Sequence, residues 1–167
     1  MNYAPRIMNP APVAVRYFDS AQARYPHGPI SRDRIVALEQ AILAEGLPLF
    51  DPPITNHFSE GVYGREMFMP AGTTLTGKIH KFSNMNVLLS GEVLVSTENG
   101  IEHVKPPFVL VAPAGAKRVF YALTDVRWLT IHGTHKTDVD EIEAEFIAQD
   151  EQEFLAFCKD QLRIEGK

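Results

Sequence analysis

The chain has one cysteine, Cys158, among its 167 residues, so it can form no internal disulfide. A single thiol points to a reducing, intracellular setting. Basic charge is scarce: 16 Lys and Arg against 21 Asp and Glu leave a net charge of −5. That balance argues against nucleic acid as a partner, because phosphate contact needs a basic surface. No apolar run is long enough to span a bilayer, and the stretch Met1-Asn-Tyr-Ala-Pro-Arg6 holds no hydrophobic segment of signal-peptide type. The G-x-S-x-G elbow of many hydrolases and the P-loop are both missing. These absences predict a cytoplasmic protein with neither membrane nor nucleic acid as a partner.

What is there reads as a globular domain with extensions. Hydrophobic residues make up 45% and charged residues 22%, ordinary values for a chain long enough to bury a core. Residues 1–30 carry Pro5, Pro10, Pro12, Pro26 and Pro29, together with Arg6, Arg16 and Arg24. Proline removes backbone donors and favours extended chain, so this segment is expected to be an arm. Tyr17, Phe18 and Tyr25 give it something to dock with, on its own domain or on a neighbouring subunit. Ser31 can cap a helix whose apolar positions are Ile35, Leu38 and Ile42, and Gly46 stops it. A connector then runs from Leu47-Pro48 through Pro52-Pro53.

From Val62 the pattern turns to short segments rich in Val, Thr, Phe and Tyr between turn residues. Strands are expected near 62–69, 73–80, 86–90, 92–97, 101–104, 108–111, 117–122 and 126–132, with Asn99-Gly100 as a hairpin turn. Many short strands at this spacing predict a barrel or sandwich. From Thr137, a plausible cap, Val139, Ile142, Phe146 and Ile147 form one apolar helical face. Phe154, Leu155, Phe157 and Leu162 extend it beyond a break near Gln149-Asp150. The opposite face is acidic, and the helix can pack on its own domain or on a partner chain. Cys158 falls in this tail, where a half-buried structural thiol is expected. The expected units are a proline-rich arm and helix at 1–56, a barrel at 57–136 and an acidic amphipathic tail at 137–167.

The series Pro70-Ala-Gly-Thr73, His80, Val87-Leu-Leu-Ser-Gly91-Glu92 and Pro113-Ala-Gly115 resembles the two-motif signature of the cupin superfamily over roughly residues 60–133. The resemblance implies a mainly β fold, an antiparallel β-barrel of the double-stranded β-helix or jelly-roll type. Enzymes of that family hold iron, manganese, nickel or zinc with three histidines and a carboxylate, two of the histidines lying two residues apart on one strand face. His80 stands at the first ligand position, but the second is Phe82. The carboxylate position falls among Asn84, Met85 and Asn86. The third histidine position is Arg118, and the asparagine of the second motif is replaced by Ala122. A guanidinium there opposes a cation. No metal or other cofactor is therefore expected, with His80 and His132 the only weak candidates as ligands.

His132 shares the register of Trp128 and Thr130 and can face the same interior as His80. His57, His103 and His135 read as loop or strand-end residues. Without a metal, Glu66, Arg118 and His80 can form a charge-paired interior that takes a small acid or a sugar. Phe68, Phe82 and Trp128 can supply stacking walls, with Asn84 and Asn86 as hydrogen-bonding neighbours. The acidic residues of the tail are expected to be a solvated helix face, far in sequence from any residue of this pocket.

The segments Gly61-Val-Tyr-Gly-Arg-Glu-Met-Phe-Met-Pro-Ala-Gly72, Thr76-Gly-Lys-Ile-His80-Lys and 113–122 are similar to a group of small cupin-like proteins encoded by tailed bacteriophages and prophages. Many members carry histidines at the positions of Phe82 and Asn84. The resemblance implies a non-enzymatic binding or structural module, such as a decoration, tail or adaptor protein of a virion. The arm and the tail would then contact other virion proteins, and a homo-oligomer (dimer or higher) is expected. The competing readings are a metal-dependent dioxygenase or isomerase and a protein that binds a small polar molecule.

Overall fold

A computed structural model describes residues 6–7, 30–46, 49 and 51–165. Helix α1 (Arg32–Ala44) starts where the Ser31 hydroxyl accepts the Arg34 N–H at 3.4 Å, and it stops at Gly46, whose φ of 62° is left-handed. Its buried residues are Ile35, Leu38 and Ile42, as the three-to-four spacing requires. The expected arm lies outside the described residues except for β1 (Arg6–Ile7), which pairs with Leu75 and Thr74.

Two five-stranded sheets follow, with every pairing antiparallel. One holds β1, β4 (Thr74–Thr76), β10 (Val119–Ala122), β7 (Val93–Thr97) and β8 (Gly100–Val104), in that order. The other holds β2 (Ile54–Ser59), β3 (Val62–Met69), β11 (Val126–Gly133), β6 (Asn84–Ser90) and β9 (Phe108–Ala112). From β3 onward the chain folds back on itself, β3 pairing with β11, β4 with β10, β6 with β9 and β7 with β8, alternately in one sheet and the other. This is the jelly-roll order. A two-stranded ladder, β5 (Ile79–His80) with β12 (Ile147–Ala148), joins barrel and tail.

The expected strand 73–80 is divided into β4 and β5: the Gly77 N–H still bonds the Arg118 carbonyl at 2.7 Å in the register of β4 with β10, and β5 then pairs with β12 instead. β2 begins at Ile54, inside the segment assigned to arm and helix, where no alternation in the sequence marked a strand. Between β6 and β7 the chain turns at Gly91, φ 86°. A Cβ there would lie 2.1 Å from the Asp125 carbonyl oxygen, so only glycine fits.

The two sheets differ on their outer faces. The first is covered: α1 packs Leu38 and Ile42 on Leu94, Ile101 and Val119, which explains why every residue of β7 is buried. The outer face of the second carries exposed Met85, Leu89, Val109 and Val111. Between the sheets lies the main core, which includes Met67, Met69, Leu75, Leu88, Val93, Val95, Phe120, Val126 and Trp128.

The tail is two helices rather than one. The cap of α2 (Val139–Phe146) is Asp138, which accepts the Glu141 N–H at 3.0 Å; Thr137 is not the cap. The chain then extends through β12 and enters α3 (Glu151–Glu165). There Asp150 accepts the Glu153 N–H while Glu153 accepts the Gln149 N–H, a reciprocal cap. Ile142 and Phe146 pack on Tyr63, and Phe154, Phe157 and Cys158 on Ile79 and Ala148. Leu155 and Leu162 are exposed, because the break at β12 rotates α3 away from the face of α2. No described helix is long and apolar enough to cross a membrane.

Candidate functional site

Antiparallel strands of a jelly roll send alternate side chains inward, so the site follows from the parity of each strand. On β3 the inward residues are Tyr63, Arg65 and Met67; on β6, Asn84, Asn86 and Leu88; on β11, Trp128, Thr130 and His132. Arg118 enters from the residue before β10 and His80 from the end of β5. Together they line a cavity of about 90 Å³ at one end of the barrel. The tail helix α2 covers it with Ile142, Glu143 and Phe146.

Asn86 is the hub of one wall. Its side-chain oxygen accepts the Trp128 indole N–H at 3.0 Å and the Thr130 hydroxyl at 2.9 Å, and its amide donates to Asn84 Oδ1 at 2.7 Å. An ionised carboxylate at 86 would only accept, leaving the Asn84 oxygen without that donor. On another wall Arg118 donates to the Ser96 carbonyl at 2.5 Å and pairs with Glu98 at 2.7 Å. Lys78, also lining the cavity, pairs with Glu143 of the covering helix at 2.6 Å.

The two histidines lie face to face, with centroids 5.3 Å apart and planes at 16°. His132 further packs on Phe146 at 4.5 Å and on Tyr63 at 6.4 Å. Burial, then the charges of His132, Arg65, Lys78 and Arg118, push His80 down to about 3, and burial with Arg65 pushes His132 down to about 4. Both rings are therefore neutral at physiological pH. His80 is partly exposed as a residue, yet its Nδ1 is shut off from solvent without a hydrogen-bond partner, as are His132 Nδ1 and Arg118 Nε. Three unpartnered polar atoms among the residues that line one cavity are unusual, because a buried polar group normally finds a partner.

Of the residues expected at the site, the structure brings together His80, Asn84, Asn86, Arg118, Trp128 and His132. Glu66 and Phe68 have the other parity on β3 and lie away from the cavity. Glu66 instead binds His57 at 2.9 Å and Arg127 on the outer side of the sheet. The His57 hydrogen bond first, and Arg127 with it, hold its carboxyl below the usual range. The expected pairing of Glu66 with Arg118 and His80 is therefore not formed. Phe82 is outside as well. The strand ends at His80, so the rule that residues two apart share a face no longer applies, and Phe82 packs edge-on against Phe146 and Phe157.

His57 and His103 lie within β2 and β8 rather than at strand ends, each bound to a carboxylate, while His135 sits in the loop beside Gly61. The sequence reading does not single out Tyr63, Arg65 or Lys78, and it expects the tail carboxylates only as a solvated helix face, whereas Glu143, far off in sequence, lines the cavity. Alternation offers no signal for the first two, because the run Met67-Phe68-Met69 that would set the parity of β3 is apolar at every position.

A divalent metal is a poor match for these residues. Imidazole lone pairs lie in the ring plane, and two nearly parallel planes 5.3 Å apart do not converge at the roughly 2.1 Å that coordination needs. Arg65, Lys78 and Arg118 line the same cavity and repel a cation. Among the described residues no three His, Cys, Asp or Glu side chains gather as a metal-binding group.

No family model matches the chain, and no curated protein does. Solved structures similar to it include a cupin superfamily protein from Desulfitobacterium hafniense, at 16% identity over 66% of this chain and 98% of that one, with a TM-score of 0.42. An RmlC-like cupin family protein with a double-stranded β-helix fold from Methanocaldococcus jannaschii shares 11% identity over 70% and 94%, at 0.41. Ectoine synthase from P. lautus shares 12% over 57% and 72%, at 0.46. Strand order and pairing, independently of these matches, give the chain an antiparallel jelly-roll barrel.

Proposed function

We propose that the protein is a non-catalytic binding module that takes a small polar molecule in the covered end of its barrel. One observation carries this reading: His80, His132 and Arg118, each with a buried side-chain nitrogen that has no hydrogen-bond partner, all line a single cavity with aromatic walls. Leaving each nitrogen unpaired costs about 1–3 kcal/mol, so a ligand that turned these side chains into contact would offset that penalty. The same histidines argue against catalysis. A general acid or base works best with a pKa near the operating pH, whereas these rings sit at about 3 and about 4.

Trp128 is the chain's single tryptophan and its indole lines the cavity, so its fluorescence is a built-in reporter. Titration with a panel of small polar metabolites is expected to give a saturable change in Trp128 emission and a raised melting temperature. A flat response to the whole panel would rule the reading out. The virion role rests on the sequence resemblance. It adds a place of work to this module, tested by seeking the chain in purified particles, where its absence would remove the proposal.

A further inference from the structure

An antiparallel sheet that meets water on one face normally alternates apolar inward residues with polar outward ones. β6 and β9 break that rule. Their outward residues are Met85, Val87 and Leu89 on the one and Val109 and Val111 on the other. Register joins these side chains across strands. Val111 lies beside Met85, and Met85 beside Ile131; Val109 lies beside Val87, and Val87 beside Leu129. The result is two apolar rows three strands wide, with Val109 and Val111 still 59% and 64% exposed. Neither β6 nor β9 holds a charged residue. The rows end at β3, where Glu66, bound to Arg127 and His57, forms a polar rim.

We propose that this face docks a second copy of the chain, the two β6–β9 faces packing on each other about a two-fold axis. Charge favours a like partner. The chain carries −5 overall, so two copies repel except where both surfaces are neutral. A different protein is selected largely through complementary charge, which these strands lack, whereas a two-fold contact needs only a surface that fits itself. The edge of the sheet agrees. Strands β1, β2 and β8 end their sheets with Arg6, His57, and Glu102 with His103, but β9 ends its sheet with Phe-Val-Leu-Val-Ala and no bulge. An edge without charge, proline or bulge is one that a neighbour must shield.

Three strands about 4.8 Å apart and five residues of about 3.4 Å each make a flat face on the order of 250 Å². A patch of that size marks an interaction site, yet it lies below the roughly 800 Å² per partner of a standard interface. The dimer should therefore be reversible and appear as concentration rises. None of the five outward residues of β6 and β9 lines the cavity, so the contact stands or falls apart from the ligand reading.

The test is sedimentation velocity of the full chain from micromolar to near-millimolar concentration, where a shift from monomer to dimer is expected. Val109→Lys with Val111→Lys, and separately Val109→Glu with Val111→Glu, should each weaken association about tenfold or more, because like charges then meet across the axis. Both side chains are already exposed, so the melting temperatures should stay close to that of the unsubstituted protein. An equimolar mixture of the two double variants should restore pairing, which misfolded chains could not do. Leu43→Glu, on the exposed side of α1, should leave association unchanged. A monomer at every concentration would overturn the proposal and leave the face to a different protein or to the chain itself. So would a mixture that fails to pair, or a dimer that survives both double variants or yields to Leu43→Glu.

Discussion

Strands β3, β6 and β11 each pass from one kind of interior into another. At one end their inward residues are Met67 and Met69, Leu88, and Val126 and Trp128, all within the main core. A few residues along the same strands they become Tyr63 and Arg65, Asn84 and Asn86, and Thr130 and His132. Parity is unchanged along each strand; only the chemistry at inward positions changes. The apolar end has every reason to be there for stability. The polar end holds unpartnered nitrogens and clustered cations, which a barrel needing only to fold would replace with hydrocarbon.

If the contrast is real, truncation at the apolar end should do the most damage. Leu88 is almost wholly buried within the main core and does not touch the cavity. Leu88→Ala is expected to cost about 2–5 kcal/mol, read from urea unfolding midpoints. A loss below about 1 kcal/mol would mean that the two ends are equally loose.

Acid should act mainly at the polar end. Unfolded histidines titrate near 6.5, whereas burial and cations hold His80 at about 3 and His132 at about 4. Below pH 6.5 the unfolded chain therefore binds protons that the folded one refuses, and stability falls with pH by roughly 1.4 kcal/mol per unit for each ring. The fall continues to about pH 4 for His132 and about 3 for His80, with Glu66 and Glu153, both held below their usual range, adding to it below about 4.5. Above 6.5 the histidine contribution is flat. The double variant His80→Gln with His132→Gln should flatten the curve between pH 6.5 and 5; an unchanged slope would show that the acid sensitivity lies elsewhere.

A smaller effect has the opposite sign. His80→Leu removes a buried nitrogen that has no partner and puts hydrocarbon in its place, so it should raise stability by about 1–3 kcal/mol while abolishing ligand response. Destabilisation would indicate that His80 holds the barrel together and that the polar end is structural after all.

The comparison also explains what the sequence made legible. Short β-rich segments between Pro70-Ala-Gly72, Asn99-Gly100 and Pro113-Ala-Gly115 marked the strands, and the inward set of β6 and β11 followed from Trp128, Thr130 and His132. On β3 the run Met67-Phe68-Met69 is apolar at every position, so alternation does not anchor the parity, and the structure has Arg65 and Met67 inside where Glu66 and Phe68 are expected. Past His80 the chain leaves the strand, which took Phe82 out of the cavity. Glu143 was hidden for a different reason. Only the β5–β12 ladder brings the tail over the barrel mouth, and nothing within the segment at 147–148 marks a strand.

That tail closes the polar end with contacts unlike those of the core. Lys81 ties it down, pairing with Glu153 at 2.6 Å and donating to the Ala144 carbonyl at 2.9 Å. Glu153 is substantially exposed, so the pair contributes only about 0.2–1 kcal/mol and weakens as salt rises. Lys81→Gln should therefore leave the global unfolding midpoint nearly unchanged. Its effect should appear as faster hydrogen exchange over residues 139–165, with β6 and β11 still protected. Raising salt in the unsubstituted protein should move the same amides in the same direction. Exchange that quickened equally in tail and barrel would show one cooperative unit, and the cavity would then open only when the protein unfolds. Exchange confined to the tail would make its local opening the route by which a ligand reaches Arg118.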